Sequence, residues 1–309
     1  MKKWMLLFLL TFGIIPICSA AKNSQAGSFY FIAMDVPARN NHVQPGREFA
    51  KLKNSSPAFV VLNGIKSNME SCSDDLFSER KNLINDVNRP VIVSLAASDW
   101  VYCKNSRGDS VAIERLIRLR EILFDSGHSL GSHPVNLTRQ SLSSRFSAFS
   151  ENFYWSEGPV LFSTLHLPAN NNNYLAAAGR NNEFEDRTIA NKNWLDLVFR
   201  QATRQHAKAI VLFTDGNPYN IKAVSRDGFL EIRQKLNALI SHYPGRVLMI
   251  HGQSGGTGKD IVWKGKLGIA GIGSNWTRFN VIPNSGTIFK IEPPVSKKTK
   301  PARKTKRTR

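Results

Sequence analysis

Short apolar runs alternate with longer amphipathic periods along most of this chain. Residues 29–34, 59–62, 91–95, 160–167, 209–213 and 247–250 carry almost no polar interruption and are rich in β-branched and aromatic side chains. That is the composition of strands covered on both faces. Between these runs, apolar residues recur every three or four positions over 75–87, 111–124, 189–207 and 228–242, which predicts four helices. In the second of them the apolar set is Ile113, Leu116, Ile117, Leu119, Ile122 and Leu123. After Gly258 the texture changes to short alternating segments broken by glycine and proline, at 261–263, 267–269, 279–282 and 287–291. This spacing predicts hairpins, and the whole pattern predicts an α/β core finished by antiparallel strands.

In open α/β folds chemistry gathers at the carboxyl ends of strands, and five polar segments stand there. They are Met34-Asp35-Val36-Pro37, Asn63-Gly64-Ile65-Lys66-Ser67, Ala96-Ala97-Ser98-Asp99-Trp100, Asp215-Gly216-Asn217-Pro218 and His251-Gly252-Gln253-Ser254-Gly255. A carboxylate at the end of an apolar strand must be paired, hydrated or ligated. Asp35, Asn63, Asp99, His166, Asp215, Asn217 and His251 therefore form a candidate set, from which one hard or borderline cation would take three or four ligands. Loop capping explains the carboxylates as well, and satisfied, half-buried imidazoles explain His166 and His251.

Charge and cysteine usage add a compartment. Lys2 and Lys3 precede an apolar stretch from Trp4 to Ile17 and the small residues Ser19-Ala20-Ala21, the three-part pattern of a secretory leader cleaved after Ala20 or Ala21. The stretch is shorter than the roughly 20 residues of a spanning helix, so no transmembrane segment is expected in the mature chain, and the protein is expected to be periplasmic or secreted. Beyond the leader, Cys72 and Cys103 form an even pair, which in an exported chain predicts a disulfide; two buried free thiols are the alternative. The net charge is +19, and the last thirteen residues hold eight basic side chains and no acidic one: Lys297, Lys298, Lys300, Arg303, Lys304, Lys306, Arg307 and Arg309. With those eight and the two leader lysines set aside, the body keeps a net charge of +9. The organisation read from this is a leader at 1–20, one large domain at 21–296 and a disordered basic tail at 297–309. A tail of this kind contacts anionic polymers through counterion release, or simply keeps the protein solvated.

Taken in order, these segments resemble a bacterial branch of the calcineurin-like metallophosphoesterases. The likeness runs through Asp35-Val36-Pro37, Ile65-Lys66-Ser67 with Ser71-Cys72-Ser73-Asp74, Trp100 and Cys103, Thr164-Leu165-His166, Asn170 to Asn173, Asn217-Pro218, and Val247 to Gly252. The resemblance implies a four-layer α/β/β/α sandwich with a two-metal site along one edge. Asp35 matches that family's first metal-binding aspartate. Gly64 stands where the family has its bridging aspartate, Ala97 and Ser98 replace an Asp-Asn pair, and Asp99 replaces a glutamate. His251 and Gly252 keep the start of a His-Gly-Asp-x-His motif, while Gln253 and Gly255 replace its aspartate and last histidine. Two-metal hydrolysis needs carboxylates and imidazoles to hold both ions, so the expected cofactor is none or one divalent metal ion. The expected role is that of a pseudoenzyme with a binding or scaffold role, its expected partner an anionic polymer or a phosphorylated ligand. The alternatives are a phosphoesterase working through a rearranged single-metal site, and an envelope protein acting through its basic tail.

Two further motifs carry little. Gly252-Gln253-Ser254-Gly255-Gly256 fits a nucleophile elbow, but no histidine follows His251, whereas that motif places its catalytic histidine beyond the serine. Gly258-Lys259 lacks the register and the hydroxyl residue of a phosphate-binding loop.

Overall fold

The computed structural model describes residues 27–36, 49, 55–176, 179, 181–220, 226–253 and 260–292. The expected leader, the basic tail and the segment 254–259 lie outside those residues.

Two sheets face each other. The first contains β1 (Phe29–Asp35), β2 (Val60–Asn63), β3 (Val91–Ser94), β11 (Thr277–Val281) and β12 (Phe289–Glu292), in the order β12-β11-β1-β2-β3. The second contains β4 (Thr138–Arg139), β5 (Phe153–Glu157), β6 (Val160–Thr164), β7 (Ala209–Thr214), β8 (Arg246–His251), β9 (Val262–Lys264) and β10 (Leu267–Gly271), in the order β4-β5-β6-β7-β8-β10-β9.

Strand periodicity explains why both faces of the central strands are apolar. Side chains alternate between faces with period two. In β7, Ala209, Val211 and Phe213 enter the core between the sheets, while Ile210 and Leu212 enter a second core beneath helices. In β8, Leu248 and Ile250 go to the first core, and Val247 and Met249 to the second. Aromatic rings hold the centre of the sandwich. Phe31 stacks on Phe59 at 5.1 Å and on Phe279 at 5.0 Å, and meets Phe162 and Phe213 edge-on at 5.5 and 5.8 Å. Each such pair adds about 0.5–1.5 kcal/mol beyond its buried area.

Helices close the outer faces. On the first sheet, α1 (Asp74–Asn85) buries Phe77 and Ile84, and α3 (Ala112–Leu123) buries Leu116, Leu119 and Leu123. The short α2 (Ala97–Trp100) lies between them in sequence. On the second sheet, α4 (Asn182–Arg204) buries Trp194, Leu195 and Val198, and α5 (Leu230–His242) buries Ile232 and Leu236. The result is an α/β/β/α sandwich: the alternation of runs and periods predicts its α/β core, and the four layers are those that the family resemblance implies.

Three details differ from the sequence pattern. Helix α4 begins at Asn182, seven residues before the predicted start, because its first two turns are polar: Glu183 is ion-paired to Arg187 one turn later, and the burial of Arg187 and Thr188 leaves no apolar period to read. Strands β4 and β5 have no counterpart among the predicted elements; β4 has two residues, and β5 alternates buried Phe153 and Trp155 with a more exposed Ser156. Among the C-terminal strands, β10 pairs antiparallel with β9 but parallel with β8, so only part of this region is a hairpin. The Cys72–Cys103 disulfide is formed, with a Cα–Cα distance of 5.9 Å, and staples the loop after β2 to the segment after α2.

Candidate functional site at the strand ends

The carboxyl ends of β1, β2, β7 and β8 bring both sheets together at one side of the sandwich. Asp35 ends β1, Asn63 ends β2, Asp215 follows β7 and His251 ends β8. Asn63 joins them: its amide nitrogen donates to Asp35 Oδ1 at 2.7 Å and to Asp215 Oδ1 at 3.0 Å. The other Asp215 oxygen accepts from the backbone N–H groups of Ala97 and Ala169, both at 2.7 Å. Gly252 permits this closeness, since a Cβ there would overlap the Asn63 amide and Asp35 Oδ1.

A second cluster surrounds Asp99. Gly64 adopts a φ of 77°, in the left-handed region that glycine favours. Beyond this turn the N–H groups of Ile65 and Lys66 donate to Asp99 Oδ1 at 2.9 and 3.3 Å, while Ala96 N–H donates to Oδ2 at 2.9 Å. The Ala96 bond is the reach-back half of a capping box at the start of α2. Lys66 is buried, with its ammonium donating to the carbonyls of Ser67 and Ser98 at 2.7 and 2.9 Å.

The two histidines are fixed differently. Trp100 Nε1 donates to His166 Nε2 at 3.2 Å, so the His166 proton sits on Nδ1, which donates to Glu151 Oε1 at 2.9 Å. Arg120 completes the chain, giving Nε and Nη2 to Glu151 at 2.8 and 2.5 Å. For His251, the partner is Asn217. Asn217 Oδ1 accepts from Tyr219 N–H at 2.9 Å, which turns its amide nitrogen towards His251 Nε2 at 3.2 Å. Nε2 therefore accepts, and the proton lies on Nδ1, a buried atom with no partner among the described residues. Asn63 Oδ1 and Ser98 Oγ are in the same condition.

Burial dominates the electrostatics. It pushes the Asp35 carboxyl up to about 8, against the Asn63 hydrogen bond and with further repulsion from Asp215 and Asp99. Asp99 is raised by burial to about 6, and Asp215 is raised by the same cause. Burial lowers His251 to about 4 and also keeps His166 neutral, its bond to Glu151 opposing. For Glu151, burial works upwards, but the Arg120 charge holds the carboxyl well below the usual carboxylate range.

These contacts decide how well the site fits metal ions. The side chain bridging the two sheets belongs to Asn63, one residue before the position that the family resemblance assigns to it at Gly64. It presents amide hydrogens, not carboxylate lone pairs, to Asp35 and Asp215. Both oxygens of Asp99 and both nitrogens of His166 are engaged. Among the described residues, no group of three or more His, Cys, Asp or Glu side chains is placed to hold a metal ion. The residues present do not fit a dinuclear centre.

Of the residues singled out from sequence, Asp35, Asn63, Asp215, Asn217 and His251 do stand on one side of the sandwich. Glu151 and Arg120 were missed. Their partners lie 15 and 31 residues away in the chain, and no local pattern marks such pairs.

The fold has a counterpart among solved structures. A structure of PhoD is similar with a TM-score of 0.51 at 10% sequence identity, over 83% of this chain and 64% of that chain. The likeness is therefore one of fold, a phosphoesterase-like α/β sandwich, and this chain spans less than two thirds of PhoD. No family model matches the chain, and no curated protein matches it.

Proposed function

We propose that this protein is exported and uses a metallophosphoesterase-like fold for binding in place of hydrolysis. The observation that carries the reading is the Asn63 amide lying between Asp35 and Asp215. A protonated or hydrogen-bonded pair of carboxyls bridged by an amide needs no cation, and it offers none of the charge that would activate a water. Export rests on the leader pattern and on the disulfide, since such bonds persist in oxidising compartments. The ligand class that suits the fold is a phosphorylated molecule or an anionic polymer. A single-metal phosphoesterase is the second reading; it draws on Asn63 Oδ1 and Ser98 Oγ, two buried oxygens without partners among the described residues.

Elemental analysis of the mature protein after dialysis, with hydrolysis assays on phosphomonoesters and phosphodiesters, tests this. The expected result is less than one tightly held divalent ion per chain and no turnover above buffer. The Asn63→Asp variant is expected to retain a divalent cation that the unaltered protein does not, because it adds a third carboxylate between Asp35 and Asp215. Turnover by the unaltered protein that is lost on chelation and restored by one equivalent of metal would establish the single-metal reading instead.

A further inference from the structure

Helix α3 has two apolar faces, and only one is buried. Leu116, Leu119 and Leu123 pack on the first sheet, while Ile113 and Ile117 are 47% and 51% exposed. Ile189 of α4 is likewise 51% exposed, on the side away from buried Trp194 and Val198. These three isoleucines line one cleft of about 720 Å³, together with Phe146, Ala148 and Phe149. Isolated exposed apolar residues mean little, but a contiguous set walling a concave space marks a binding surface. The volume falls within the range of about 300–1,000 Å³ typical of small-molecule sites, which are apolar with a few placed polar groups.

The charged groups in this cleft are unequally free. Glu183 is neutralised by Arg187, and Arg120 gives Nε and Nη2 to Glu151. Arg145 is exposed, lies with its guanidinium carbon 5.3 Å from the Phe146 ring centre, and has no carboxylate partner among the described residues. The Arg120 guanidinium sits 5.0 Å from the Phe149 ring, with Nη1 uncommitted among the described residues. Two guanidinium groups thus stand on aromatic faces beside an isoleucine wall. On the opposite wall, Asp186 is the carboxylate without an ion-pair partner among the described residues.

We propose that this cleft binds a small amphipathic anion, with its apolar body against Ile113, Ile117 and Ile189 and its anionic head on Arg145 and Arg120. The chemical class is a single acyl or alkyl chain, or a comparable flat apolar body, ending in a carboxylate or phosphate. Arg rather than Lys suits such a head because the planar guanidinium donates in a fork while stacked on a ring.

Calorimetric titration of the full mature chain with decanoate, its methyl ester and decylammonium, each below its micelle concentration, tests the proposal. Decanoate is expected to bind saturably at one per chain, at least tenfold tighter than the ester or the amine. Arg145→Ala is expected to weaken decanoate about tenfold and to remove the preference over the ester, and Ile117→Glu to abolish binding. Asp186→Asn is expected to leave decanoate binding equal or tighter. All three positions are exposed, so the fold is retained and is checked by thermal melting. Asn63→Asp should not change decanoate binding, which separates this site from the strand ends. Tighter binding of decylammonium, binding that survives Ile117→Glu, or no saturable binding of decanoate would each overturn the proposal.

Discussion

Asn63 and Asp35 show how much one amide nitrogen decides. Asparagine and aspartate have nearly the same shape, but the amide donates where a carboxylate would accept and repel. With Asn63 in place, burial of Asp35 and Asp215 raises their affinity for protons. The sign of the consequence follows from linkage. Asp35 titrates near 3.8 when unperturbed and at about 8 in the fold, so the folded state holds the extra proton between those values. Its contribution is fully present below about pH 4 and is lost as the pH rises through about 8. Urea denaturation at about pH 5, 7 and 8.5 should therefore show stability falling across this window. In Asp35→Asn the fall should be smaller by roughly 2–4 kcal/mol, after allowance for solvent at the half-buried carboxyl. Equal slopes in the two proteins would remove Asp35 as the titrating group.

Among the elements, the loops after strands do the positioning, and they are stabilised by different devices. The run Asn171, Asn172 and Asn173 has φ values of 46°, 55° and 55°, a left-handed stretch that asparagine tolerates better than most side chains. Buried Asn172 uses that conformation to accept from Arg187 and to donate to the Gly228 carbonyl at 2.9 Å, fixing the start of α4 beside the site. The loop after β2 depends on the Cys72–Cys103 bond, which closes 31 residues. On the chain-entropy model a loop of this length contributes about 3 kcal/mol. Replacing both cysteines with serine should lower the unfolding free energy by about that amount, measured in urea under non-reducing conditions. A loss below about 0.5 kcal/mol would mean that hydrogen bonds around Asp99 hold this loop without the staple.

At the scale of the whole molecule, charge and fold act separately. Among the described residues no helix is long and apolar enough to cross a membrane. Eight of the positive charges in the net +19 belong to residues 297–309, outside the described residues. If this segment engages a polyanion by counterion release, deleting it should flatten the dependence of binding on salt, since each phosphate left unneutralised lowers the slope by about 0.7–0.9. Filter binding to single-stranded nucleic acid and sedimentation with anionic vesicles, over roughly 50 to 200 mM salt, measure this. Identical slopes for full-length and truncated protein would move recognition to the folded body.

The α/β core was legible because burial on both faces leaves a signature in its central strands: Ala209 to Phe213 and Val247 to Ile250 cannot be read as anything exposed. The candidate site was legible in part, since polar residues directly after such runs stand at strand ends whatever the pairing. Strand order, the entry of β11 beside β1, and the parallel placement of β10 on β8 were not legible, because they depend on pairings between distant segments. The same physics decides which candidate atoms are already engaged. Asp99, His166 and Asp215 have the right chemistry to ligate in isolation. Only the approach of Ala96, Ile65, Trp100, Glu151, Ala97 and Ala169 in space brings them into hydrogen bonds within the fold. Local sequence determines which atoms can donate or accept, and tertiary packing decides which of them are left to meet a ligand.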